Sequence, residues 1–255
     1  SRSAFRFEAS QQYQLDAIAS VVDLFDGQPR LYHRESLTVA RRTAPNSSDA
    51  DFFETDLEAL AAAQTNYDPS RMAQAAFDSL QDDLAEEVGA IGNQLVLDQE
   101  TILANLQRVQ DRNGLEVSDN LVGNGRDFDI EMETGTGKTY VYLRTILELA
   151  AKYQFTKFII LVPSVAIREG VNTSLRLMRD HFNELYLRHG VTFESSVYSG
   201  KTAESVQGFA TASNVQIMVM TIDSIRGDAN NRIIHQTRDK LQGLRPIDYL
   251  KATQP

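Results

Sequence analysis

Apolar residues recur at steps of three and four in several stretches of this 255-residue chain. Leu15, Ile18, Val22 and Phe25 do so within QQYQLDAIASVVDLF and predict a helix, which Gly27 and Pro29 in DGQPR stop. Phe77, Leu80, Leu84, Val88 and Ile91 predict a second helix. A third is expected from about Gln99 to Gln110, with Ile102, Leu106 and Val109 as its buried face. Asp98 is its N-cap, and Asn113–Gly114 its stop. The last two helices read as an antiparallel pair with a solvated acidic face. RRTAPNSSDAD, between the first helix and this pair, has no period and reads as a loop or a disordered stretch.

From residue 127 the pattern alternates between short apolar runs and longer amphipathic ones. DFDIEM predicts a strand, KTYVYLRTILELAAKY a helix and KFIILVP a strand whose apolar run suits burial on both faces. AIREGVNTSLRLMRDHFNELYLRH then reads as a helix, VTFESSVYS as a strand, ESVQGFATA as a short helix and VQIMVMTID as a strand. This order argues for a doubly wound α/β fold, a parallel sheet with helices on both faces. Three parts are expected: an N-terminal helix in residues 1–34, an acidic and mainly helical insertion in 35–125, and an α/β domain in 126–255.

Charge sharpens that division. The net charge of −10 argues against a nucleic-acid partner, but residues 46–125 alone carry 16 acidic side chains against 3 basic. Residues 1–45 carry 6 basic and 5 acidic, and residues 126–255 carry 16 basic and 14 acidic, so both flanks are near neutral. The chain has no cysteine, which excludes disulfides and thiolate metal sites and fits a reducing compartment. It has no apolar run of membrane-spanning length, and SRSAFRFEAS lacks the features of a signal peptide. The first residue is not Met, so a processed or recombinant piece of something longer is expected.

The chemistry concentrates in IEMETGTGKTY, residues 130–140. A glycine loop between a buried strand and a helix lets backbone N–H groups approach an anion, and the helix N-terminus adds positive potential. Thr134, Gly135, Thr136, Gly137, Lys138 and Thr139 therefore form a candidate triphosphate-binding loop. Lys138 is placed to reach the β and γ phosphates, and Thr139 to ligate Mg²⁺. Met132 departs from the usual opening Gly or Ala, at the strand end where a tight turn matters less.

Three further features narrow the reading. The amide of Gln14 offers a donor and an acceptor to the edge of adenine. In LVPSVAIREG, Ser164 at a turn and Arg168 in the following helical turn suit a nucleic-acid phosphate, with a plain N-cap and a surface Arg as the alternative. Thr221 ends the strand of MVMTIDSI, where open α/β sheets bind ligands. Asp223 is not taken as the Mg²⁺-binding acidic motif, because Ser224 follows it where a Glu is wanted.

Taken together, YQLDAI, IGNQLVLDQETILANLQ, NGLEVSDNL, IEMETGTGKTYVYLRTI and KFIILVPSVAIREGV resemble superfamily 2 helicases, and more narrowly the Res subunit of type III restriction enzymes. The Met before ETGTGKT is habitual in that family, and the resemblance covers nearly the whole chain except roughly residues 35–75. It implies a RecA-like ATP-binding domain of a bacterial, cytoplasmic, ATP-dependent motor on double-stranded DNA. That motor works with a modification methyltransferase (Mod), which recognises the site, and with a nuclease domain. Carried over, Gln14 reads adenine, the 134–139 loop holds ATP and Mg²⁺, and Ser164, Arg168 and Thr221 contact the DNA backbone.

The Walker B Asp-Glu pair expected shortly after Thr221 does not occur, nor do arginine fingers or nuclease carboxylates. The reading is therefore an incomplete first motor domain with no catalytic residue of its own. Such a piece is expected to bind nucleotide weakly, to hydrolyse none at a useful rate, and to expose an unpaired sheet edge. The acidic segment, with Asp82, Asp83, Glu86 and Glu87, is expected to touch Mod. Rival readings are another superfamily 2 defence or repair helicase, a P-loop small-molecule kinase, and a docking module with a relic loop.

Overall fold

The computed structural model describes residues 11–30, 89–123, 125–226 and 232–255. The predicted helix over Phe77–Val88 and the polar stretch near Pro45 lie outside them, as do Asp82, Asp83, Glu86 and Glu87.

A three-stranded parallel sheet carries the α/β part, made of β1 (Lys157–Val162), β2 (Phe193–Val197) and β3 (Val215–Thr221) in the order β1-β3-β2. Every residue of β3 is buried. Its side chains alternate between two cores, as the pleat requires. Ile217 and Val219 join a cluster with α3 (Lys138–Tyr153) and α4 (Val165–Tyr186). Met218 and Met220 join a second, with α5 (Ser205–Thr211) and α7 (Pro246–Ala252). Helices thus cover both faces, as expected. A one-turn helix, α6 (Ile222–Ile225), follows β3.

β1 departs from its expected burial on both faces: among the described residues it is an edge strand, and Leu161 is 47% exposed. DFDIEM departs further. Residues 127–133 run without a strand partner among the described residues, because local alternation makes a strand only where a neighbour supplies the hydrogen-bond ladder.

α1 (Gln12–Val22) lies on α3. Ala17, Ile18 and Val22 pack with Val141, Leu149, Tyr153 and Phe155, and the Tyr153 hydroxyl donates to the Val22 carbonyl at 3.1 Å. Met132 is packed against the same cluster. α2 (Gln99–Arg112) begins where predicted, the Asp98 carboxylate accepting from the Thr101 N–H at 2.8 Å. Hydrogen bonds from Thr101, its side chain first and its N–H second, hold the Asp98 carboxyl below the usual carboxylate range. Ile102 and Val109 are buried as expected, and Leu106 half-buried.

Ile91, expected in a helix, instead belongs to an irregular strap over residues 90–98. The Ile91 N–H donates to the Ala210 carbonyl, and the Asn93 N–H to that of Thr253. The Asn93 amide takes the N–H groups of Thr156 and Lys157 and donates to the Lys157 carbonyl, while Gln28 bonds to Gln94 and Val96. These partners replace a helix's own bonds, and a side chain at Gly92 would strike the Thr253 carbonyl oxygen at 2.6 Å. No helix among the described residues is long and apolar enough to cross a membrane.

Candidate functional site

The loop before α3 is shaped by two glycines. Gly135 and Gly137 have φ of 81° and 82°, in the left-handed region that a side chain disfavours. Gly137 is the N-cap of α3, and a Cβ there would lie 2.8 Å from the Gln14 amide nitrogen. The loop is braced from inside by Thr136, whose hydroxyl donates to the Glu133 carbonyl at 2.7 Å. Gln14 braces it from α1, its Nε2 donating to the Thr136 carbonyl at 2.9 Å. Lys138, Thr134, Gly135 and Gly137 are exposed, and Thr139 is half-exposed.

This arrangement suits an anion, because α3 points its N-terminal N–H groups and dipole at the loop, beside an exposed ammonium. A nucleotide fits on one further observation. Gln14 is buried, and its Oε1 accepts no hydrogen bond among the described residues. An orphaned buried acceptor costs about 1–3 kcal/mol, which a ligand N–H would relieve. With one Nε2 N–H spent on Thr136, Gln14 keeps its Oε1 as an acceptor and a second N–H as a donor. Thr139 is the hydroxyl available to a magnesium ion. Among the described residues no group of three or more His, Asp or Glu side chains could hold a metal on its own.

Ser164, Arg168 and Thr221 form a second group at the carboxyl edge of the sheet, where Val162 of β1 pairs with Thr221 of β3. Each already has work in the fold. Ser164 caps α4, its Oγ accepting from the Ile167 N–H at 3.3 Å, while remaining exposed. Thr221 is buried, with its hydroxyl 2.8 Å from that of Ser224. Arg168 donates to the Tyr198 carbonyl at 3.2 Å and to the Glu169 carboxylate at 2.9 Å. It thereby ties the first turn of α4 to the segment after β2. Burial pushes the Tyr198 hydroxyl up to about 12. Asp223 sits exposed on α6.

The structure does not merge the two groups. Tyr140, in the first turn of α3, stacks on Phe182 at 5.5 Å. Phe182 lies eighteen residues beyond Ser164 on α4, roughly 27 Å of helix at about 1.5 Å per residue.

Two features escaped the sequence reading. Ile234, Leu241, Tyr249 and Leu250 complete the second core, and Pro246 at the first turn of α7 with Asp248 behind it was the available signal. Burial pulls the Asp248 carboxyl up, but the Arg245 guanidinium and N–H outweigh it and hold the group below its ordinary value. Lys157 is the other: it is fully buried, with Nζ donating to the Ala212 carbonyl, and burial lowers it to about 8. Nothing in KFIILVP announces that.

Known proteins share this chain's pattern. Residues 94–245 match the family described as type III restriction enzyme, res subunit. Over 179 residues, 64% of this chain, it is 34% identical to the type III restriction-modification enzyme EcoP15I Res subunit of Escherichia coli, covering 18% of that protein. Over 162 residues, 58% of the chain, it is 33% identical to the EcoPI Res subunit of Escherichia phage P1, covering 16%. A stretch of 62 residues, 24% of the chain, is 47% identical to the StyLTI Res subunit of Salmonella typhimurium, covering 6%. The chain thus spans less than a fifth of these relatives' length. Because the family match runs over more than half of the residues here, the chain belongs to the type III restriction enzyme res subunit family.

Proposed function

We propose that this chain is the ATP-binding part of a DNA-dependent motor in a type III restriction system. The observation that carries the reading is Gln14 docked on the Thr136 carbonyl with its Oε1 buried and unpartnered. An amide held there beside a glycine loop and an exposed lysine suits adenosine triphosphate better than a bare phosphate. Gly135, Gly137 and the N-terminus of α3 would hold the phosphates, with Thr134 and Thr136 shaping the loop. Lys138 would neutralise the β and γ groups, Thr139 would ligate Mg²⁺, and Gln14 would accept from the adenine amine. The bound nucleotide supplies a phosphoanhydride whose hydrolysis can drive movement.

Ser164, Arg168 and Thr221 would face the backbone of double-stranded DNA at the carboxyl edge. Contacts of that kind carry no sequence information. That division agrees with a partner methyltransferase, Mod, choosing the site, and with residues 35–125 offering it an acidic surface. Residues 1–34 would then be the base-reading helix and 126–255 the RecA-like ATP-binding domain, acting in the bacterial cytoplasm. Endonucleolytic cleavage would be the output of the assembled enzyme.

ATP turnover by the full-length protein tests this, measured with and without duplex DNA and Mod and beside Lys138→Ala. Turnover that needs both DNA and Mod and disappears in the variant is expected. Turnover indifferent to DNA would point to a small-molecule kinase instead, and none at all to a docking module.

A further inference from the structure

α3 carries a second hydroxyl close to Thr139. Tyr142 lies three residues further along the helix, and residues at that spacing are neighbours on one face. Long side chains on a helix lean back toward its N-terminus, so the Tyr142 ring reaches over Thr139 rather than away from it. The ring is half-buried and packs against the core that α3 shares with α4. Its Oη is shut off from solvent and has no hydrogen-bond partner of good geometry among the described residues. Burial raises the Tyr142 hydroxyl above the ordinary tyrosine value, and the neighbouring Thr139 hydroxyl pulls it the other way. That pull has a direction: donation to a phenolic oxygen favours its charged form, so Thr139 stands as donor and Tyr142 Oη as acceptor.

We propose that Tyr142 is a positioning residue for Thr139, its Oη taking the Thr139 hydroxyl proton so that a lone pair of Oγ1 faces Mg²⁺. The proposal rests on the nucleotide reading above. A hydroxyl has one proton and two lone pairs. Left to rotate, it spends part of its time turning the proton toward the cation, which is repulsive. An acceptor fixed in the next turn of the helix removes that orientation. Partners that orient a ligand in this way tune metal affinity without touching the metal. Tyr142 suits the task because the core grips its ring, while Thr139 stays half-exposed beside the loop.

The test is displacement of a fluorescent ATP analogue from the full-length protein by ATP, with Mg²⁺ and again in EDTA. Tyr142→Phe is expected to weaken ATP about tenfold with Mg²⁺. Its affinity in EDTA and the melting temperature of the nucleotide-free protein should not fall. Thr139→Ala should lose the Mg²⁺-dependent part of the affinity, and adding Tyr142→Phe to it should cost nothing more. Equal losses with Mg²⁺ and in EDTA would mean that Tyr142 only packs the helix, and would overturn the proposal. So would losses that add in the double variant, because Tyr142 would then act apart from Thr139. A Tyr142→Phe protein that binds as the wild type does, while Thr139→Ala loses the Mg²⁺ effect, would overturn it and leave the nucleotide reading standing. If Lys138→Ala and Thr139→Ala change neither affinity, the nucleotide reading fails and takes this proposal with it.

Discussion

The phosphate-type loop and the carboxyl edge of the sheet are built on opposite plans. The loop is defined by backbone: two glycines at positive φ, one carbonyl held by Gln14, and a lysine left in solvent. The edge is defined by interlocked side chains, with Ser164 spent on a cap, Arg168 on Tyr198 and Glu169, and Thr221 beside Ser224. Asp127, Asp129, Glu131 and Glu133 lead into the loop, all exposed, whereas the segments that leave β2 and β3 expose both signs, Lys201 and Arg226 together with Asp223. A site made of backbone keeps its groups free for a ligand. One made of interlocked side chains shares each group between ligand and fold, so changes there alter stability and binding together.

That distinction can be broken by substitution. The largest effect is expected from Lys138→Ala, which should lower ATP turnover on the order of a hundredfold or more with no change in melting temperature and no loss of nucleotide-free DNA binding. A drop in melting temperature would show that the loop side chains hold the fold together just as those of the edge do.

Lys157, at the far end of β1 from Ser164, is a control belonging to neither region. Its folded pKa of about 8 lies below the ordinary lysine value. Between about pH 8 and 10.5 the unfolded chain therefore binds more protons, and stability rises with pH. Wild type should gain on Lys157→Met over that window, by up to on the order of 3 kcal/mol. Chemical denaturation at pH 7.5 and 10 reads this, and an unchanged gap would refute it.

Arg168→Ala removes a guanidinium that holds two segments together. It should cost about 2 kcal/mol of stability and weaken DNA binding in parallel, whereas Arg168→Lys should restore only part of either. DNA affinity lost with full stability would place Arg168 with the backbone-type sites after all. The smallest effect belongs to Asp98→Ala, which loses the α2 cap. It should lower the melting temperature by a few degrees at most and leave ATP and DNA affinities alone in equilibrium binding.

What could be read from the chain follows the same line between local and distant causes. The span of α2 and its Asp98 cap, the positions of the three strands and the glycine loop are set by neighbours in sequence, and all are visible in period and capping alone. DFDIEM misleads because alternation is local but a strand's partner is not. The strap over residues 90–98 misleads for a related reason. Ile91 continues an apolar period, yet its N–H goes to Ala210, and the hydrogen bonds of Asn93 go to Thr156, Lys157 and Thr253. Of the site residues, Gln14 could be singled out, but not that its amide would hold Thr136. Arg168 could be placed at a helix start, but not its grip on Tyr198.

The Gln28 clasp on Gln94 and Val96 has a consequence for the stretch between them. Chain that leaves after Arg30 and returns at Gly89 does so from two footings pinned side by side. Closing a longer excursion between fixed footings adds only about 0.6 kcal/mol for each doubling of its length. The clasp therefore works as a socket: what is plugged into it can be lengthened, shortened or exchanged while the sheet, the strap and α1 keep their places. The length of chain between those footings can therefore change without the glycine loop having to change at all.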